Sequence, residues 1–151
     1  MKQKIVVDTN IVFSGILNPG SRIGKIILTS KKHFKFYTCD FLKTELLKHR
    51  DKLLKLTKLS SPGLDELEFL LTKNIVFINE NLLPEKIIIA SENILTGIDL
   101  NDTPFVALTK HLKAKLWTGD KELASGIETK KHIETLTTNQ LSDLLDKLER
   151  N

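Results

Sequence analysis

The chain opens on an aliphatic, β-branched run, Lys4-Ile5-Val6-Val7, that stops at the polar triplet Asp8-Thr9-Asn10. A short apolar run bounded in this way predicts a strand buried on both faces. Ile11 to Leu17 is then apolar at helical spacing and ends at Asn18-Pro19-Gly20, a strong turn signal. Ser21 to Leu28 predicts a second helix, with Ile23, Ile26 and Ile27 on one stripe. Phe34 to Cys39 alternates and is rich in aromatics, so it predicts the second strand, with Asp40 placed to cap the next helix. That helix is expected to be long, from Phe41 to about Leu56, with Glu45 flanking its apolar stripe.

Ser60-Ser61-Pro62-Gly63 breaks the chain before a short helix from Leu64 to Leu71, and Ile75 to Ile78 predicts a third strand. Pro84 fits the first turn of a helix from Glu85 to Leu95. Asp102 is expected to cap another that carries Pro104 in its first turn and runs through Phe105, Val106, Leu108 and Leu112. Lys115 to Thr118 predicts a fourth strand ending in Gly119-Asp120, and Ile133 to Leu136 a fifth. Thr138 or Asn139 is expected to cap a last amphipathic helix from Gln140 to Leu148. Strands alternating with helices require crossover connections, so the expected fold class is α/β, with a mainly parallel sheet covered by helices on both faces. No internal repeat or long linker divides it, and one domain over residues 1–151 is expected.

In such a sheet every strand's carboxyl end lies on one edge, which is where open α/β sheets bind ligands. Asp8 and Asp120 follow their strands directly, Asp40 and Glu45 follow the second strand, and Asp102 begins the helix that feeds the fourth. Taken singly these acids have ordinary readings as turn, capping or exposed helix residues. Taken together they would repel one another, and a carboxylate cluster must raise its pKa values, disperse into solvent or bind a cation. Hard cations such as Mg²⁺ and Mn²⁺ use a few carboxylates plus waters and substrate phosphates, which suits phosphodiester hydrolysis.

Composition narrows the alternatives. One cysteine, Cys39, excludes an internal disulfide, fits a reducing cytosol, and is expected to be a small buried residue at a strand end. Nothing suggests a histidine-cysteine zinc cluster or a Cys-His nucleophile. No run approaches the roughly 20 apolar residues that span a bilayer, and the opening has no signal-peptide pattern, so a cytoplasmic protein is expected. A net charge of +4 permits a polyanionic partner without requiring one.

Four segments in order carry a resemblance. Val6-Val7-Asp8-Thr9-Asn10, Thr44-Glu45-Leu46, Asp102-Thr103-Pro104-Phe105-Val106-Ala107-Leu108 and Leu116-Trp117-Thr118-Gly119-Asp120-Lys121-Glu122-Leu123 resemble the PIN-domain family. That family of metal-dependent nucleases includes toxin ribonucleases of prokaryotic toxin-antitoxin pairs. The resemblance implies a sheet of order 3-2-1-4-5, an acidic constellation of Asp8, Glu45, Asp102 and Asp120, a Mg²⁺ or Mn²⁺ cofactor and an RNA substrate. Asp8 and Asp102 are then expected as principal metal ligands, Asp120 as a ligand direct or through water, and Glu45 as a ligand or the acceptor that orients the attacking water. Asp99 is an additional or alternative ligand, with a simple turn acid as its equal reading. Asn10 and Thr118 are expected to support the ligands by hydrogen bonding. A small antitoxin protein is the partner the resemblance implies, and a homodimer is common in the family; here apolar helices such as Leu64 to Leu71 would have to supply its surface.

Lysines and arginines flank the acids, and solvation accounts for most of them. They fall as Lys31, Lys32 and Lys35 beside the second strand, Lys48, Arg50 and Lys52 beyond Glu45, and Lys110, Lys113 and Lys115 before the fourth strand. Arg22, Lys43 and Lys121 lie nearest the acids along the chain and are the candidate RNA contacts. His33, His49, His111 and His132 are scattered among lysines and read as surface residues. Two other enzyme or signalling classes fit less well. A haloacid-dehalogenase-type phosphatase needs a second Asp where Asn10 stands, and a receiver-type phosphoacceptor needs an Asp after the third strand, where Asn79-Glu80 follow Ile78. The remaining rival is a PIN-like module that keeps the fold and serves as a catalytically inactive RNA-binding or assembly part.

Overall fold

A computed structural model describes residues 2–130 and 133–151, so His132 lies outside the described residues. The strands are β1 (Gln3–Val7), β2 (Phe34–Cys39), β3 (Ile75–Ile78), β4 (Lys115–Trp117) and β5 (Thr135–Leu136), all parallel, in spatial order β3-β2-β1-β4-β5. Ile5 in the middle of the sheet pairs with Phe36 on one side and Lys115 on the other. The chain therefore builds outward from β1 through β2 and β3, returns, and builds outward again through β4 and β5. Strand order reverses between β1 and β4, which makes their carboxyl ends the switch point of the sheet.

Alternation along the strands divides the core in two. Ile5, Val7, Phe34, Phe36 and Trp117 face one side, under α1 (Thr9–Leu17), α2 (Arg22–Thr29), α3 (Phe41–Lys48), α4 (Arg50–Thr57), α5 (Ser61–Thr72) and the last helix. Val6, Tyr37, Cys39 and Leu116 face the other, under α6 (Glu85–Ile94), α7 (Thr103–Leu112) and α8 (Lys121–Lys130). The last helix, α9 (Thr138–Arg150), is tied to the sheet through Trp117, whose indole N–H donates to Thr138 Oγ1 at 3.0 Å. Cys39 is fully buried, and burial pushes its thiol well above the usual range.

Several local expectations change for physical reasons. The long helix expected from Phe41 breaks at His49, whose N–H closes α3 on the Glu45 carbonyl (3.1 Å) while its own carbonyl opens α4 by accepting from Leu53 N–H (3.0 Å). Asp40 and Asp102 precede helices but neither side chain makes a capping bond, since both backbones are already helical. Asp102 instead ends a 3-10 turn, Leu100–Asp102. The cap of α9 is Thr137, in a reciprocal capping box with Gln140, rather than Thr138 or Asn139. Residues 121–130, for which the pattern predicts no element, form α8. Leu64 and Leu71 of α5 are fully buried, so this helix serves the core more than a partner; what it leaves outside is Phe69 and Leu70.

Two helical glycines give opposite predictions. Gly15 in α1 has room for a methyl group, with its nearest neighbours Ile27 and Leu71 at 3.7 Å, whereas a Cβ on Gly24 in α2 would lie 2.1 Å from the Pro19 carbonyl oxygen. Gly15→Ala should stabilise the fold by up to about 1 kcal/mol through helix propensity. Gly24→Ala should destabilise it by about 1–3 kcal/mol, because backbone must move. Urea unfolding midpoints of the two variants against the parent check both signs.

Candidate metal centre

β1 ends one residue before its ladder does: Asp8 N–H donates to the Trp117 carbonyl of β4 at 3.1 Å, so the Asp8 side chain emerges at the switch point. The carboxylate is buried, only 4% exposed. Its Oδ1 accepts from Thr9 N–H at 2.8 Å, which caps α1, and its Oδ2 accepts from the Thr118 hydroxyl at 2.7 Å. Thr118 Oγ1 accepts in turn from Asp120 N–H at 3.0 Å, and Asp120 Oδ1 accepts from Leu123 N–H at 3.0 Å in the first turn of α8. Asn10 reaches across to the same loop, where its Oδ1 accepts from Gly119 N–H at 3.5 Å. Thr118 thus supports Asp8 directly, while Asn10 supports the loop that carries Asp120.

Around this pair the fold brings in the other acids. A cleft of about 300 Å³ is lined by Asp8, Glu45, Asp99, Asp102 and Asp120, together with the Phe13 and Phe105 rings. Glu45 arrives on α3, half-buried. Asp99 and Asp102 bracket the 3-10 turn, where Asp99 Oδ1 accepts from Asn101 N–H at 2.9 Å. The acids sense one another strongly. Burial first, and then Asp8, Asp99, Asp120 and Glu45 in that order, push the half-buried Asp102 up to about 7. Burial also raises Asp8, helped by Asp120 and Glu45, even though the Thr118 and Thr9 hydrogen bonds act the other way.

This donor set fits a hard divalent cation. It offers carboxylate oxygen without thiolate, and a cation would offset the burial and mutual repulsion that raise the proton affinity of Asp102 and Asp8. Among the described residues no three carboxylate, imidazole or thiol side chains are drawn together into a closed metal-binding group. An open, outward-facing arrangement is what Mg²⁺ accommodates, since it keeps several waters and leaves places for phosphate oxygens.

The basic residues fall differently from their order along the chain. Arg22 donates to Asn139 on α9, Lys43 pairs with Asp40 at 3.5 Å with its ammonium 4.8 Å from the Phe77 ring centre, and Lys121 is exposed at the start of α8; none of the three lines the cleft. Lys48 and His49 do line it. His49 is half-buried rather than a surface residue, with Nε2 3.7 Å from Glu45 Oε2 and its ring edge-on to Phe13 at 5.5 Å. Helical spacing is the signal that finds them: Lys48 and His49 are three and four residues beyond Glu45 and share its face, while Lys43, two before it, points about 200° away.

A search of curated proteins finds no match to this sequence. Among solved structures, the fold is similar to the crystal structure of VapBC2 from Rickettsia felis bound to a DNA fragment from their promoter. The superposition has a TM-score of 0.64 over 89% of this chain and 98% of that chain, at 14% sequence identity, a likeness of fold alone. The family model for the PIN domain matches residues 6–143, from β1 into α9. The chain belongs to the PIN-domain family.

Proposed function

We propose that this protein is a Mg²⁺- or Mn²⁺-dependent endoribonuclease that hydrolyses RNA phosphodiester bonds in the acidic cleft. The observation that carries this reading is the convergence of five carboxylates, from four separate segments of the chain, at the switch point where Asp8 is buried. Asp8 and Asp102 would hold the ion, with Asp120 as a ligand direct or through water and Asp99 as an additional one. When bound, the ion supplies a Lewis acid that activates water and offsets charge on the phosphate oxygens. Glu45 would either join the ligands or accept a proton from the attacking water. Thr118 fixes the direction of the Asp8 carboxylate, and Asn10 holds the Gly119 turn. Lys48 and His49, on the Glu45 face of the cleft, are better placed to meet the substrate phosphate than Arg22, Lys43 or Lys121.

The reading extends to partners. A larger groove of about 620 Å³ adjoins the cleft and shares Asn101 with it; Phe41, Leu83, Ile88 and Leu100 line it beside Glu80, Glu85 and Glu92. Apolar walls with acidic side chains suit a small antitoxin protein carrying apolar and basic residues, and the likeness to VapBC2 agrees with a toxin of such a pair. The exposed Phe69 and Leu70 of α5 favour a homodimer. No helix among the described residues is long and apolar enough to cross a membrane, in keeping with a cytoplasmic enzyme. One observation allows a second reading, a PIN module that binds RNA without cutting it: Lys48 and His49 line the cleft and could serve binding alone.

A cleavage assay on single-stranded and structured RNA separates the two. Turnover with Mg²⁺ or Mn²⁺ that stops in EDTA is expected, with Asp8→Asn and Asp102→Asn each lowering the rate by about 100-fold or more and Thr118→Ala by about 10- to 100-fold. Retention of both Mn²⁺ binding and cleavage in the two Asp variants would remove the site assignment. The metal-free protein should also show a defined pH response. Asp102 titrates near 7 when folded and near its ordinary 3.8 when unfolded, so the folded state binds more protons between these values. Stability from this group is therefore full below about pH 4 and is lost as pH rises through 7. Thermal melts of the metal-free protein should fall over that window, Asp102→Asn should flatten the fall, and Mn²⁺ affinity should increase with pH across the same range.

A further inference from the structure

The edge of the sheet opposite the acidic cleft carries the reverse charge. β1 and β2 begin there with Lys4 directly opposite Lys35 in the parallel register, both exposed. The two lie on one face, two residues before Val6 and Tyr37, which pack under α7. α7 runs against the strands and ends at this edge with Lys110 and Lys113, and the turn leading into β2 adds the exposed Lys31 and Lys32. Across the strand starts Lys115 is already paired, with Glu134 at 3.4 Å. Lys35 is further steadied by Tyr37, its ammonium 5.6 Å from the ring centre.

Neither folding nor solubility accounts for this arrangement. Like charges set opposite each other on neighbouring strands destabilise a sheet, and solubility is served equally well by lysines that are dispersed. Lysines that guard a sheet against edge-to-edge association belong on outer strands, whereas β1 and β2 lie inside the order β3-β2-β1-β4-β5. A concentration of cations on one face is what a polyphosphate backbone recognises.

We propose that this edge, centred on Lys4, Lys35, Lys31, Lys32, Lys110 and Lys113, is a second RNA-binding surface that grips a part of the RNA remote from the scissile bond. It rests on the nuclease reading for its place in catalysis, but its binding requires neither metal nor turnover. The phosphate contacts supply affinity independent of base sequence, and the acidic cleft at the other edge, which repels phosphate without its metal, is left to select the bond.

The test measures binding of a radiolabelled RNA in EDTA, where cleavage is off, as a function of salt. Lys4→Gln/Lys31→Gln/Lys32→Gln/Lys35→Gln is compared with Lys25→Gln/Lys55→Gln/Lys86→Gln/Lys147→Gln, which removes the same net charge elsewhere; circular dichroism confirms that both fold, and Lys110→Gln/Lys113→Gln gives an independent second variant. The edge variant should bind about tenfold or more weakly at about 0.1 M salt and lose about 2 to 3 units of the log-log salt slope, with the control little changed. Equal losses in both quadruple variants, or none in either, overturn the proposal, as does binding of anionic lipid vesicles in place of RNA. An edge-dependent salt slope in a protein that never cuts RNA would uphold this surface while removing the nuclease reading, and cleavage with no edge dependence would do the reverse.

Discussion

A carboxylate withdrawn from water at the end of the central strand constrains everything around it. Burying an ionised group without partners costs several kcal/mol, so Asp8 is tolerable only with donors fixed on both oxygens. Those donors come from two distant segments of the chain: Thr9 is the next residue, and Thr118 lies 110 residues on. The Thr118 bond requires β4 to lie beside β1 in parallel register, with the turn after Trp117 emerging level with Asp8. It also requires α8 to start immediately afterwards, because Asp120 is held by Thr118 on one side and by Leu123 on the other. The sheet order and the α1 and α8 starts are in this sense conditions for placing one side chain.

Parallel topology then sorts charge. With all strands running one way, groups that follow strands collect at one edge and groups that precede them at the other. Asp8 and Asp120 follow β1 and β4, Asp102 begins the helix that feeds β4, and Lys4, Lys35 and Lys115 stand within the first two residues of β1, β2 and β4. The start of α1 adds to this, since the positive end of its dipole favours the anionic form of Asp8 that burial and the other acids oppose. Burial and the neighbouring acids together push Asp102 up to about 7, which makes its protonation part of the folding energetics of the acidic edge.

Much of this was legible in the sequence. The strands and the parallel architecture follow from apolar runs alternating with helical stretches, and the order 3-2-1-4-5 follows from the family resemblance. Asp8, Glu45, Asp99, Asp102 and Asp120 do share a cleft. What the pattern did not show was side-chain direction. Apolar periodicity runs through the α3–α4 junction without a mark, so His49 looks like one more polar residue on a long helix; in the fold it ends one helix and opens the next beside Glu45. Arg22, Lys43 and Lys121 are near the acids along the chain, yet rotation about a helix decides which way a side chain faces, and theirs face elsewhere. Residues 121–130 mix Lys and Glu with few apolar positions, and their helix is set by the Asp120 cap and by Leu123 and Ile127 in the core.

The ordinary and the chemical readings of these acids turn out to be compatible, and their coexistence explains the open form of the cleft. Asp99 and Asp120 each accept at one oxygen, Oδ1, from a backbone N–H of their own turn, and among the described residues no hydrogen bond holds the second oxygen. Asp102, placed before α7, makes no capping bond. Asp8, Asp99 and Asp120 are therefore anchored to their own turns, at separations set by the backbone rather than by a shared ligand. Acids tethered in this way cannot collapse onto one point, which fits the absence of a closed metal group among the described residues. They remain close enough for four of them to raise the proton affinity of Asp102. A preorganised, mutually repelling and incompletely closed set of oxygens suits an ion that must keep places for water and phosphate, and the turn bonds of Asp8, Asp99 and Asp120 help to hold it open.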